Sequence, residues 1–234
     1  MRAFYDLHIH SALSPCGDED MTPNNIVNMA LIKGLDVIAV TDHNSCGNVR
    51  AVMEAAGENL LVIPGMEVET AEEVHVLCYF PTAERAEQMW EVLKSHRLPI
   101  KNKPEIFGHQ YYMDAEDEIV GEEEYLLVTA TSLTIGEVFS HARELGGVAV
   151  PAHIDRTSYS VISNLGFMPE ELAVDAVEIT AGNRETWECD WGAYTILTSS
   201  DAHYLGDISE PRYYMDIKNK KIEEILGKLT NEKS

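Results

Sequence analysis

The chain has 234 residues, enough to bury the core of one larger α/β domain or of two small ones. Its formal net charge of −23 provides no basic field for anionic membranes or phosphate backbones, which disfavours a long nucleic acid as partner. A short anionic substrate stays compatible, because bound divalent cations invert the sign of a local site.

The first residues contain no apolar run of signal length, and no later stretch is apolar enough to span a bilayer. The expected location is therefore the cytoplasm, with no membrane partner. Cys16, Cys46, Cys78 and Cys189 are scattered without a C-x-x-C spacing, which argues against a disulfide framework or a cysteine zinc site.

Along the chain, short apolar runs alternate with amphipathic segments, the pattern of a parallel sheet with crossover helices. Strands are predicted near 4–10, 36–41, 60–68, 74–80, 147–152, 175–180 and 195–200. Helices are predicted at 23–33, 46–57, 82–96, 134–146 and 221–229. Thr22-Pro23 opens the first of these and Gly34 closes it, while Thr134 and Glu137 have capping-box spacing.

The first strand carries Asp6-Leu7-His8-Ile9-His10. Strand alternation places His8 and His10 on one face and Leu7 with Ile9 on the other. Two imidazoles so spaced can grip one cation, whereas burying both without partners leaves polar nitrogens unsatisfied. Thr41-Asp42-His43 follows the second strand, Glu67 and Glu69 end the third, and His75 begins the fourth. Pro151-Ala152-His153-Ile154-Asp155-Arg156 follows the fifth, and Ser199-Ser200-Asp201-Ala202-His203 the last. Six of the nine histidines thus fall at strand edges, almost all at carboxyl ends, where an α/β barrel carries its catalytic groups. A cluster of metal ions accounts for them together. His96, His109 and His141 lie outside this pattern and read as surface residues.

Residues 99–133 break the rhythm with Pro99, Pro104, Gly108, Tyr111-Tyr112 and the acidic stretch from Asp114 to Glu124. A long irregular connection of this kind is usually functional or disordered. The acidic run reads as a solvated face, and His109 with the tyrosines as a candidate lid. Residues 1–234 otherwise read as a single domain.

The motifs Asp6-Leu7-His8-Ile9-His10-Ser11, Thr41-Asp42-His43-Asn44, Pro64-Gly65-Met66-Glu67-Val68, His75-Val76-Leu77-Cys78-Tyr79-Phe80, Ala152-His153-Ile154-Asp155-Arg156 and Ser200-Asp201-Ala202-His203 stand in this order. Together they resemble the PHP (polymerase and histidinol phosphatase) domain family, over the first eighty residues and again from about 145 to 205. The resemblance implies an α/β fold, a distorted seven-stranded (β/α)7 TIM-like barrel, holding two or three divalent transition metal ions (Zn, Mn or Fe). By the same resemblance, one ion is expected at His8, His10, Glu67 and Asp201, and a second at the bridging Glu67 with His75 and His153. A third is expected at His43 and His203. Its remaining ligand falls where the loop from Ser14 to Asp20 is longer than the family pattern; Asp18 is the first choice and Cys16 the rival. A thiolate there suits zinc, and a carboxylate suits manganese or iron.

The activity so implied is phosphoester hydrolysis of a small phosphorylated metabolite or nucleotide, by a water that the cations acidify. Asp201 and His203 are expected beside the reacting group. Arg156, within a family motif, and Arg184, after the sixth strand, are candidate substrate clamps because a guanidinium binds phosphate bidentately. Two other classes fit less well. C–N hydrolysis on a related metallo-barrel commonly uses a carboxylated lysine on a strand, and no lysine here ends a predicted strand. A non-catalytic metal-dependent binding module would not need the full motif set. Nothing in the pattern fixes an oligomeric state.

Overall fold

The structure, a computed structural model, describes residues 1–183 and 194–230. Every predicted apolar run forms a strand: β1 (Arg2–Ile9), β2 (Val37–Val40), β3 (Leu61–Glu69), β4 (His75–Tyr79), β7 (Val148–Pro151), β8 (Ala176–Glu178) and β9 (Thr195–Leu197). Three further strands are β5 (Tyr111–Met113), β6 (Ile119–Glu122) and β10 (Tyr214–Asp216). The helices are α1 (Pro23–Ile32), α2 (Val49–Ala56), α3 (Ala83–His96), α4 (Pro104–Phe107), α5 (Ile135–Glu144), α6 (Val161–Leu165) and α7 (Ile222–Leu229). Thr22 caps α1 as its sequence suggests, and Thr134 with Glu137 forms a complete capping box on α5.

The sheet is mixed, where the alternating pattern suggested a parallel one. Its order is β10-β1-β2-β3-β4-β7, with β1, β2 and β3 parallel, and with β10 on β1, β4 on β3 and β7 on β4 antiparallel. The reason is connection length. Only residues 70–74 join β3 to β4, too few for a crossover, so the chain turns back and pairs Glu69 with His75. This reversal brings the start of β4 to the rim formed by the carboxyl ends of β1, β2 and β3. The expected seven-stranded ring is not one continuous ladder among the described residues. β8 and β9 form a separate parallel pair, tied to β7 by Ile154 N–H donating to Glu178 O (3.0 Å) and to β1 by His10 N–H donating to Ala202 O (2.9 Å).

Both faces of the sheet bury apolar side chains. Ile38, Val40, Val62, Val76 and Cys78 face a cluster completed by α1, α2, α3 and α5, including Ile26, Val52, Met89 and Phe139. The other face, with Tyr5, Leu7, Ile63, Leu77, Tyr79 and Val150, packs against Ile225, Leu226 and Leu229 of α7. The strict alternation expected in β1 fails near its end. Leu7 lies in the second cluster and Ile9 in the first, because the register against β2 shifts between Asp6 and Ile9. A bulge of this kind re-aims side chains, and here it precedes His10.

Residues 99–133 are mostly irregular backbone but hold α4 and the antiparallel β5–β6 hairpin. The fully buried Asn48 fastens the hairpin to the rim. Its amide donates to Ser11 Oγ and Tyr111 O, each at 3.0 Å, and its Oδ1 accepts from Met113 N–H at 2.9 Å. Asn48→Ala leaves a buried N–H and carbonyl unpaired, so we expect it to destabilise folding by about 2–4 kcal/mol. Urea unfolding monitored by circular dichroism measures this; an unchanged midpoint would mean that the hairpin is not secured through Asn48.

Candidate metal centre

The geometry of the rim is built around one carboxylate. Glu67 on β3 is 1% exposed, and its two oxygens lie 3.0–3.4 Å from ring nitrogens of His8, His10, His43, His75 and His153. Burial opposes its ionisation, but the imidazoles of His75, His8 and His43 outweigh that and hold the carboxyl well below the usual range. Asp201 sits across from it. Its Oδ1 is 3.2 Å from His8 Nε2 and 3.1 Å from His10 Nε2, while its Oδ2 takes the Arg156 guanidinium at 2.7 Å.

Neighbouring groups orient the imidazoles. Glu178, at the end of β8, accepts from His8 Nδ1–H at 3.0 Å and from His153 N–H at 3.0 Å. His10 Nδ1–H donates to Ser14 Oγ at 2.9 Å, and that hydroxyl donates to Asp42 Oδ1 at 2.7 Å. Asp42 also accepts from the Ser11 N–H and hydroxyl. These bonds settle on Nδ1 the proton that each ring would otherwise place on either nitrogen, turning both Nε2 atoms toward Glu67 and Asp201.

The converging atoms do not satisfy one another. His8 Nε2 and His10 Nε2 face each other at 3.2 Å. Asp201 Oδ1, His43 Nδ1 and His153 Nδ1 are buried without a hydrogen-bond partner among the described residues. Two ligands on one cation at about 2.1 Å lie roughly 3.0–3.4 Å apart, so this crowding fits a bound ion and is costly without one. The protonation balance agrees. Although burial works against their charge, Glu178, Asp201 and Glu67 draw His8 well above its ordinary value, and Asp201 and Glu67 draw His10 up to about 9. Burial, reinforced by the neighbouring His10, drives His43 well down and His203 to about 4. The cluster accepts only part of the positive charge that its carboxylates attract.

Three groups have ligand atoms mutually within 4.8 Å: His8, His10, Glu67 and Asp201; His43, Glu67 and His75; and His10, His43 and His203. The first is the set expected from the motifs. In the second, His43 stands where His153 was expected, and His153 Nε2 lies 3.3 Å from Glu67 Oε1 outside that group. In the third, His10 joins His43 and His203, and neither Asp18 nor Cys16 enters. Asp18 turns back into its own loop, its Oδ1 accepting from Asp20 N–H at 2.9 Å. Cys16 is exposed on the same loop.

Arg156 lies at the rim with its side chain 41% exposed, whereas Arg184 falls outside the described residues. Glu69, two residues after Glu67, is buried with its carboxylate 4.0 Å from His75 Nε2. His109, the lid candidate, bonds Glu122 at 2.9 Å and stacks on Tyr111. A cleft of about 360 Å³ opens on the Asp201 side, bounded by His153, Arg156, Ser199, Asp201, Lys33 and Arg212, within the size range of small-molecule sites. Glu178, Asp42 and Ser14 were not singled out from the sequence. Glu178 had a signal, a lone carboxylate between the apolar Val177 and Ile179; the serine and aspartate had none apart from their adjacency to the histidine motifs.

A family model described as PHP domain matches residues 6–156. A protein of Methanocaldococcus jannaschii, MJ0043, is 25% identical over 169 residues, 71% of this chain and 18% of that one. The 5'-3' exoribonuclease Rnm of Salmonella typhimurium is 35% identical over 74 residues, 30% of this chain and 24% of that enzyme. The lesion-specific endonuclease Q of Pyrococcus furiosus superposes with a TM-score of 0.73 at 20% identity, over 99% of this chain and 56% of that one. A structure of endonuclease Q with a 27-mer duplex bearing an abasic lesion at the active site gives a TM-score of 0.73 at 21% identity, over 96% of this chain and 55% of that one. The chain thus spans about a fifth to a quarter of these curated relatives and just over half of each endonuclease.

The duplex complex corrects the inference from net charge. A protein of this fold does engage a long nucleic acid, so a charge of −23 does not exclude one here. A polyanion meets a local field, which the whole-chain total does not report. As for membranes, no helix among the described residues is long and apolar enough to cross one.

Glu178→Gln keeps the side-chain shape but removes the charge that orients His8. We expect metal affinity to fall about 10- to 100-fold, with the unfolding midpoint nearly unchanged. Competition against a calibrated chelator reads the affinity, and wild-type retention would show that Glu178 does not position His8.

Proposed function

The chain belongs to the PHP domain family, and from that premise we propose that it is a metal-dependent phosphoesterase. The observation that carries this reading is the buried Glu67 carboxylate ringed by five imidazoles, opposite an Asp201 oxygen that no hydrogen bond satisfies. We assign one ion to His8, His10, Glu67 and Asp201, a second to Glu67 and His75 with His43, His153 standing by, and a third to His10, His43 and His203. Imidazoles suit zinc or iron, and the carboxylates also suit manganese. Bound there, such cations would lower the pKa of a water and neutralise phosphoryl oxygens.

The chain's own residues supply position. Glu178 and the Ser14–Asp42 relay hold His8 and His10 in the tautomers that present Nε2. Asp201 holds Arg156 at the edge of the cleft, where the remaining N–H donors of its planar fork can take a phosphoryl oxygen. Arg184 keeps its sequence-based candidacy as a second clamp. The 99–133 insertion borders the site as a fixed wall, since Asn44 and Asn48 pin it to the rim. For the barrel, the contacts of β8 and β9 with β7 and β1 support a distorted seven-stranded ring. The relatives named as an exoribonuclease and an endonuclease support cleavage of phosphate diesters as well as monoesters.

The test is hydrolysis by metal-loaded protein of a panel holding phosphorylated metabolites, nucleotides, and single- and double-stranded oligonucleotides, one with an abasic site. Turnover of at least one compound, abolished in Glu67→Gln, is expected; no turnover by a protein carrying its metals would contradict the reading. On any substrate found, Arg156→Lys is expected to keep the metals and lose roughly 10- to 1,000-fold in kcat/KM. Wild-type efficiency would remove Arg156 as the clamp.

A further inference from the structure

The loop after His153 ends in a side chain that the metal centre does not account for. Tyr159 has φ 54°, a left-handed conformation that a bulky residue rarely adopts. The chain holds it there from both sides. Its carbonyl accepts the His75 N–H at 3.0 Å, and the next residue, the buried Ser160, caps α6 and donates to Arg156 O at 2.8 Å. The result is a ring stacked on His75, with centroids 4.8 Å apart and planes 25° from parallel.

A tyrosine placed there only to brace His75 would be covered, yet 47% of Tyr159 is exposed and its hydroxyl bonds no described residue. The His75 ring is already fixed by Glu67 at 3.0 Å. Tyr204, the other exposed tyrosine near the rim, makes no ring contact with it among the described residues. A backbone held in a rare conformation, with a half-exposed ring stacked on a candidate metal ligand, is an arrangement for stacking. Arg156 lies three residues earlier on the same loop. One segment of the rim thus carries both a guanidinium fork, held by Asp201, and an aromatic ring, stacked on His75.

We propose that Tyr159 is a specificity-determining residue, the platform on which a nucleobase of the substrate stacks next to the phosphate held at the rim. This rests on the phosphoesterase reading and narrows its substrate to base-bearing phosphoesters. Stacking of one base on an aromatic side chain contributes roughly a 5- to 100-fold gain in affinity.

The experiment is calorimetric titration of metal-loaded protein with two non-hydrolysable probes, the 5′-phosphonates of adenosine and of ribose. Wild type should bind the adenosine probe roughly 5- to 100-fold more tightly. Tyr159→Ala should erase that preference while leaving ribose phosphonate affinity and metal content unchanged, and Tyr159→Phe and Tyr159→Trp should restore it. A short oligonucleotide ending in the same phosphonate separates the two sources of a base: tighter binding than the adenosine probe assigns a strand end, equal or weaker binding a free nucleotide. Equal wild-type affinity for the two small probes would overturn the proposal without any variant. So would equal losses for both in Tyr159→Ala with metals retained, which assigns the ring to bracing His75. If neither probe binds and the metal-loaded wild type hydrolyses nothing in the panel, the phosphoesterase reading falls and this one with it; hydrolysis confined to base-free esters overturns Tyr159 alone.

Discussion

A carboxylate buried among five imidazoles sets the terms for the rest of this molecule. Removing the Glu67 charge from water is costly, and in the interior that cost is offset only by counter-charges at hydrogen-bond distance. The five rings come from the ends of β1, β2 and β7 and from the start of β4. No local segment could assemble them. The mixed sheet is therefore a requirement of the site: with β4 parallel to β3, His75 would lie at the opposite end of the sheet.

Strain collects at the same rim. Of the residues other than glycine with positive φ, Asn44, His153, Tyr159 and Asp201 all lie in the loops that surround Glu67. Each costs of order 1–3 kcal/mol and persists because its neighbours over-determine it. Asn44 shows how. Its N–H donates to Glu67 O at 2.8 Å, its Oδ1 accepts from Glu69 N–H at 3.0 Å, and its amide holds the carbonyls of Leu127 and Thr129. The geometry of the rim is thereby maintained by bonds that reach into the insertion, far from the histidine motifs in sequence.

Much of this was legible from one chain. Period-two and apolar runs located seven strands, because side-chain alternation and burial are local consequences of sequence. The histidines and acids at strand ends pointed to one rim for the same reason. Partner identity was less legible. The exchange of His43 for His153 beside Glu67 and His75 depends on ring orientation and on the curl of the sheet, which spacing does not encode. Asp18 has ligand chemistry and stands in the expected loop, yet it lies outside the three groups, with its Oδ1 accepting from Asp20 N–H, a loop geometry that spacing does not encode. The parallel expectation for β4 failed on a five-residue connection whose length was visible, and the hairpin at 111–122 was hidden by acidic residues that masked a weak alternation. Net charge misled most, because it sums over a surface that no ligand meets as a whole.

The central claim is that this rim is a multinuclear metal centre, and metal stoichiometry tests it most directly. Elemental analysis of protein purified without chelators and then reloaded with manganese, iron or zinc should find at least two ions per chain, since the ligand set is too large for one tetrahedral or octahedral ion. A value at or below one per chain after each reloading, with the protein folded, would contradict it.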